Sequence, residues 1–273
     1  MQSLPFLSKA KVKLYARLHD KKIRDAERLF LAEGERTVRQ LLQTLPNPDM
    51  LVALCFNAAH LPDTATFSPY RPKLFLLSAH DFARLAETQE PQPILGIFRQ
   101  PCFTMESLQL LSHSCASRLV IALNGVQDAG NVGTIVRTAA WFNVHALLSD
   151  TQTADFFSPK VVRASAGSLF AMPLVRSTHF LQDLHALQRL GYTLYATVPS
   201  GKALSSLHFS PQSLVIIGSE ASGIAPEVLQ LADQTISIRG NWRAVKSLNA
   251  AVAAGIIIAR FAEALGLLTA SSS

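Results

Sequence analysis

Apolar positions along this chain follow two rhythms, and the change between them falls near residue 118. Up to about Leu45 the apolar residues after Ser8 recur at helical spacing. The pattern breaks at Leu29–Gly34, where a short extended piece ends in a glycine before a second helix over Glu35–Thr44. "MLVALCF" and "KLFLLS" predict strands, and "AHDFARLAE" predicts a helix ahead of "PILGIFRQP". Beyond Arg118, strands predicted at Leu119–Leu123, Ala146–Leu148, Ala171–Leu174, Thr193–Thr197, Leu214–Ile217 and Thr235–Ile238 alternate with helices. Those helices are predicted at Val132–Phe142, Pro159–Ser165, Phe180–Leu190, Pro226–Leu231 and Leu248–Leu268. Strands that are apolar throughout and separated by helices predict a parallel sheet covered on both faces. The expected organisation is a small mixed α/β domain over 1–105, a polar linker over 106–117 and a larger α/β domain over 118–273.

Composition adds little until charge is placed along the chain. Three cysteines without C-x-x-C or metal-ligand spacing predict free thiols in a reducing compartment. The N-terminus puts its charge after a short apolar patch, the reverse of a signal peptide. The longest apolar run, Ala250–Ala259, is about half a membrane span. The protein is therefore expected in the cytoplasm. Residues 1–24 carry seven Lys or Arg against one Asp, whereas the remaining residues hold eighteen of each sign, so the formal charge of +6 is N-terminal. Lys9, Lys13, Arg17, Lys21 and Arg24 recur every three or four residues and would line one helical face. Such a face attracts a polyanion, nucleic acid first; the alternative is a solvated face that keeps the protein soluble. The eight histidines lack metal-ligand spacing.

Three strand ends carry glycines. In "NGVQDAGNVGTIVRTA" an apolar strand leaves through Gly125, Gly130 and Gly133 into a helix, letting the backbone turn sharply and approach a ligand. Asn131 is the expected N-cap, and Arg137, off the buried stripe, is expected to lean back toward the loop. That arrangement suits a phosphodiester. It also suits a tight turn in which Arg137 pairs with Asp128. In "IIGSEASGIAPEV", Glu220 stands between Gly218 and Gly223 ahead of Pro226, placed to orient an amine or hydroxyl or merely inside a capping turn. "ISIRGNWRAVKSLNAAVAAGIIIARF" brings Arg239, Arg243 and Lys246 into one loop before Ser247, the expected N-cap of a long helix, and Asn249. On that helix Leu248, Val252, Ile256 and Ala259 form an apolar stripe suited to the core or to a dimer interface.

"DAGNVGTIVRTA", "FSPKVVRASAGSLF", "GSEASGI" and "SLNAAVAAG" resemble, in order and context, the motifs of the SpoU (TrmH) family of RNA 2′-O-ribose methyltransferases. "SKAKVKLYARLHDKKIRDAERLFLAEGERTV" resembles the N-terminal substrate-binding domain of many such enzymes. The resemblance implies a C-terminal parallel-sheet domain with a deep trefoil knot, which no periodicity would predict. It also implies a homodimer, S-adenosylmethionine as cofactor, no metal, and RNA as substrate. By motif, cofactor contacts fall on Gly218, Ile238, Leu248, Thr197 and Gly223. The polar active-site positions fall on Arg137, Asn131, Glu220, Ser247 and Asn249. Two positions depart from the family pattern, Ala129 and Arg239, where a proline is usual; neither lost proline carries a reactive group.

The implied reaction joins a cationic methyl donor to a ribose hydroxyl that must lose its proton. The site must therefore orient that hydroxyl and stabilise the developing alkoxide. Arg137 is expected to clamp the 3′-side phosphate and the alkoxide, with proton removal left open because a guanidinium holds its proton tightly. Ribosomal RNA is the expected substrate and tRNA the alternative. Rival readings are a non-catalytic RNA-binding protein on the same scaffold and a dinucleotide oxidoreductase; the missing G-x-G-x-x-G speaks against the latter.

Overall fold

A computed structural model describes residues 4–88, 90, 92–111 and 117–268. The chain divides into two units, the first built from residues 1–101 together with 155–170, the second from 102–154 and 171–273.

In the first unit, helices α1 (Lys9–Tyr15) and α2 (Lys21–Glu27) precede strand β1 (Leu29–Glu33) and helix α3 (Glu35–Gln43). Strands β2 (Leu51–Asn57), β3 (Leu74–Leu77) and β4 (Ile94–Arg99) follow, with α4 (Ala79–Leu85) between the last two. The sheet order is β1-β4-β2-β3, with only the β2/β3 pair parallel. Gly34 takes a φ of 95° at the bend between β1 and α3, a conformation that favours glycine. The helical pattern expected from Ser8 is two helices, not one. Asp20 accepts a hydrogen bond from the Lys22 N–H and caps the second, so the chain turns between Ala16 and Asp20.

A stretch from within the C-terminal half completes this unit. Phe157 and Phe170 pack on Phe30 of β1 with ring centroids 5.2 and 5.9 Å away, and α7 (Pro159–Ala164) lies between them in sequence. Gly167 follows with a φ of 85°, and a Cβ there would stand 2.6 Å from the Thr37 carbonyl oxygen. The "FSPKVVRASAGSLF" motif therefore belongs to the core of the first unit.

The second unit is a six-stranded sheet in the order β10-β8-β9-β5-β6-β7, every pair parallel. Its strands are β5 (Arg118–Asn124), β6 (Ala146–Ser149), β7 (Leu174–Arg176), β8 (Thr193–Ala203), β9 (Gln212–Gly218) and β10 (Gln234–Ser237). Its helices are α5 (Met105–Leu111), α6 (Ala129–Trp141), α8 (Phe180–Arg189), α9 (Pro226–Leu231) and α10 (Ala250–Ala264). The parallel sheet is as expected, with β7 set a few residues later than the apolar run suggested. The stretch expected as linker contains α5, whose Leu108 is buried in the sheet's core; residues 112–116 lie outside the described residues. Strand β8 departs from its partner: Thr235 pairs with Ala196 but Ile236 with Lys202. The five residues Thr197–Gly201 bulge out of the ladder between these two registers.

Of the two roles open to the Leu248 stripe of the long helix, the structure excludes the core, because the helix buries another face. Ala250, Ala251, Ala254, Ile257, Ile258 and Phe261 are buried, with Phe261 edge-on to Tyr195 and Phe209. Leu248, Val252 and Ile256 are exposed. The stripe is not core. Among the described residues, no helix is long and apolar enough to cross a membrane.

Candidate active site

A cavity of about 660 Å³ opens where the chain leaves β9 and β10 and where β8 bulges. In parallel α/β sheets this carboxyl end is where ligands gather. The volume lies within the roughly 300–1,000 Å³ of sites that enclose ligands. Each wall has a local cause. The β8 bulge supplies Thr197, Val198 and Pro199. The loop after β9 is tied by reciprocal backbone hydrogen bonds between Ser219 and Gly223, 3.1 and 2.9 Å, which hold Glu220 at its turn. Gly218 is required by this fold-back, because a Cβ there would stand 2.5 Å from the Gly223 carbonyl carbon. The third wall is the segment from Ile236 through Leu248 into α10.

Thr197, Gly218, Gly223, Ile238 and Leu248 all line this cavity, as do Glu220 and Ser247. Thr197 spends its hydroxyl on the Ile216 carbonyl at 2.9 Å, so the cavity meets the rest of that side chain. The lining is mostly apolar, with Ile217, Ile236, Ile238 and Ile257 offering a face for a purine-sized group. Gly223 and Gly240 have nothing within 4 Å of where a Cβ would stand. Glu220 is the acidic side chain of the lining, suited to a cationic ligand. S-adenosylmethionine, a purine nucleoside bearing a sulfonium, fits these features.

Asn131 and Asn249 join the site through Glu220. Asn131 donates from Nδ2 to Glu220 Oε1, and Asn249 donates from Nδ2 to Asn131 Oδ1 at 2.9 Å. Neither capping expectation holds. Asp128 caps α6, accepting from the Asn131 N–H at 2.8 Å, which leaves the Asn131 side chain inside the first turn and available. Asn249, not Ser247, caps α10, accepting from the N–H groups of Ala251 and Val252 at 2.9 and 3.2 Å. Ser247 is exposed two residues earlier. Arg137 is exposed on α6 and makes no hydrogen bond or ion pair with any described residue, so the expected alternative pairing with Asp128 is not formed.

The support beneath this site is not evident from the sequence pattern. Asn124, buried at the end of β5, donates to Asp150 Oδ2 at 2.8 Å and accepts from the Ala225 N–H at 2.7 Å. Asp150 in turn holds Thr153 through its backbone and hydroxyl at 2.8 and 2.7 Å. The loops after β5, β6 and β9 are thereby tied together. The signal available was a polar pair, Asn124 and Asp150, each closing an apolar strand.

In the first unit the five basic residues separate. Lys13 and Arg17 are exposed. Lys9 reaches Asp81 at 2.6 Å and holds that carboxyl below its usual range, chiefly through the hydrogen bond. Lys21 pairs with Asp25 on its own helix. Arg24 does not join the expected basic face: it is buried, bonds Asp155 at 2.7 Å and donates to the carbonyls of Leu18 and His19 at 2.8 Å each. Its ion-pair partner is hidden in the sequence because Asp155 lies 131 residues away.

A parallel sheet whose strand ends enclose a mostly apolar cavity, with a bonded polar triad at its wall, defines an α/β protein with a ligand-sized site. Residues 118–259 match the SpoU rRNA methylase family and residues 9–96 an MRM3-like substrate binding domain; the chain belongs to the SpoU rRNA methylase family. It is 29% identical over 260 residues to the 23S rRNA (guanosine(2553)-2′-O)-methyltransferase RlmP of Bacillus subtilis, covering 94% of this chain and 98% of that one. An AdoMet-bound rRNA methyltransferase from Sinorhizobium meliloti superposes with a TM-score of 0.80 at 28% identity, over 98% of this chain and 99% of the other. The SpoU methyltransferase AviRb from Streptomyces viridochromogenes shares the fold at a TM-score of 0.77 and 23% identity, over 93% and 98% of the two chains.

Among the described residues, no group of three His, Cys, Asp or Glu is placed to hold a metal ion.

Proposed function

We propose that this protein methylates a ribose 2′-hydroxyl of ribosomal RNA, using S-adenosylmethionine, as a cytoplasmic homodimer. The observation that carries the reading is the bonded triad Asn131–Glu220–Asn249, joined to the wall of a cavity that fits the cofactor. S-adenosylmethionine supplies an electrophilic methyl group when bound. The chain's own residues then position the acceptor. Glu220, held by Asn131, presents a carboxylate edge at the cavity wall, where it favours a cationic group and can accept from a hydroxyl. Arg137, exposed and unpaired among the described residues, serves as the clamp for the phosphate beside the target ribose and for the developing alkoxide. Ser247 and Asn249 fix the loop that closes the cavity.

The relatives favour ribosomal RNA over tRNA, since both the Bacillus subtilis and the Sinorhizobium meliloti proteins are named for rRNA. Lys13 and Arg17 on the first unit are the cations placed to meet RNA phosphates. The knot implied by the family resemblance and the dimer both belong to this reading. The dimer is supported by the exposed apolar side chains Val252 on α10 and Trp141 on α6, 53% and 81% exposed; Leu248 and Ile256, also exposed, line the cavity as well.

The test is a map of ribose methylations in RNA from cells with and without the gene, joined to calorimetry with S-adenosylmethionine. The expected result is one lost rRNA methylation and measurable cofactor binding. Cofactor binding with a methylation lost from tRNA would move the substrate. No cofactor binding would leave an RNA-binding protein on this scaffold.

A further inference from the structure

Among the described residues, the cavity lining includes one acidic and one basic side chain, Glu220 and Arg239. Glu220 is already committed to Asn131. Arg239 is held differently, by a single hydrogen bond from Nη2 to the Gly201 carbonyl at 3.3 Å. That acceptor is fixed in place. It also accepts from Ser237 Oγ at 2.8 Å, and Gly201 lies so close to β10 that a Cβ would stand 2.5 Å from the Ile236 carbonyl carbon. The guanidinium is thus anchored at one corner, while its other donors bond no described residue and pair with no described carboxylate.

A guanidinium offers five donors in a planar fork and is always charged. Exposed at the edge of the cavity and paired with no described carboxylate, it can present two parallel N–H bonds to an anion. The ligand assigned to this cavity carries one such group. S-adenosylmethionine has two cationic centres, the sulfonium and the amino group, and one anion, the carboxylate of its methionyl end. A cation in the lining would weaken binding by repelling the sulfonium unless it met that carboxylate.

We propose that Arg239 binds the methionyl carboxylate of S-adenosylmethionine and makes the site selective for a cofactor with an intact amino-acid end. This rests on the cofactor reading above. It makes Arg239 a binding residue for the donor, with no role in moving the proton.

The experiment is titration calorimetry of the full-length protein with S-adenosylmethionine and with its decarboxylated analogue, which lacks only the carboxylate. The wild type is expected to bind S-adenosylmethionine about 10- to 100-fold more tightly, the range for a charge-assisted hydrogen-bonded pair. Arg239→Leu should lose that factor for S-adenosylmethionine and bind the analogue at least as tightly as the wild type does, because its two cations no longer face the guanidinium, with the melting temperature preserved. Arg239→Lys should recover part of it. Equal wild-type affinity for both ligands overturns the proposal without any variant. So does an Arg239→Leu protein that weakens both ligands alike, which would make the residue structural. An unchanged cofactor affinity with weakened RNA binding would assign the guanidinium to a substrate phosphate instead. A wild type that binds neither nucleoside overturns the cofactor reading and the inference with it.

Discussion

Asn249 Nδ2 donates to Asn131 Oδ1 at 2.9 Å across 118 residues of sequence. The direction of that bond is dictated by the helix behind it. Asn249 Oδ1 is occupied by the N–H groups of Ala251 and Val252, so its amide nitrogen must point outward. Asn131, accepting at its oxygen, then presents its own nitrogen to Glu220. A helix cap thereby orients a carboxylate on a loop after a different strand.

That coupling separates two functions of one side chain. Asn249→Asp keeps a good cap but replaces the donor with a carboxylate facing Asn131 Oδ1. Its melting temperature should stay near that of the wild type, while single-turnover methyl transfer falls by at least about tenfold, the scale of one hydrogen bond to a charged group. Asn249→Ala loses both and should also cost about 1 kcal/mol of stability. Full activity in a stable Asp variant would show that Asn131 needs no orientation from this side.

How much of this was legible beforehand follows the range of the interactions. Strands β5, β6 and β9 are apolar runs between glycine- or polar-ended loops, and local pattern suffices to find them. The face that α10 buries is not local. Val252 and Ile256 are as apolar as Ile257 and Ile258, and only packing on Tyr195 and Phe209 decides between the two stripes. Residues 155–170 carry a motif of the C-terminal half yet fill the core of the first unit, a placement that no periodicity encodes. The capping roles depart from the sequence pattern for a related reason. Asp128 and Asn131 are both good caps by type, as are Ser247 and Asn249, and the turn geometry chooses between them.

The basic N-terminal residues should split in experiment as they do in space. Lys13→Glu with Arg17→Glu should weaken RNA binding and lower its salt slope by about one for each phosphate no longer neutralised, leaving the melting temperature unchanged. Arg24→Ala leaves Asp155 unpaired in a buried setting, 4% and 11% exposed respectively. It should cost about 3–5 kcal/mol of stability. Salt-dependent binding curves and thermal melts measure the two effects. A salt slope identical to that of the wild type would leave Lys13 and Arg17 as solubilising charges.

Ile256 tests the exposed apolar face. It is 42% exposed, so Ile256→Arg should fold normally. If the face is a dimer contact, the added charge would be unpaired in a dry interface and should weaken association by several kcal/mol. Sedimentation is expected to give a monomer with a near wild-type melt. A dimer of unchanged affinity would mean that this face is free in solution.

Arg137 stands apart from the other candidates because the structure gives it nothing to hold. It is exposed, on α6 beyond the Asp128 cap, and bonded to no described residue. A structural role would require a partner, so its removal should leave the fold intact. As clamp for phosphate and alkoxide it contributes where charge develops, and Arg137→Ala should lower methyl transfer by roughly two to three orders of magnitude, as loss of an oxyanion donor does. Cofactor affinity should hold, because the cavity is lined by β8, the loops after β9 and β10 and the start of α10, not by α6. Arg137→Lys keeps the charge but loses the planar fork, so it should remain strongly impaired. Single-turnover transfer of labelled methyl to RNA, run beside cofactor calorimetry and a melting curve, distinguishes these outcomes. Near-normal transfer by a folded Ala variant would remove Arg137 from the mechanism. A lowered melting point with lost cofactor binding would give it a structural role that the described hydrogen bonds and ion pairs do not contain.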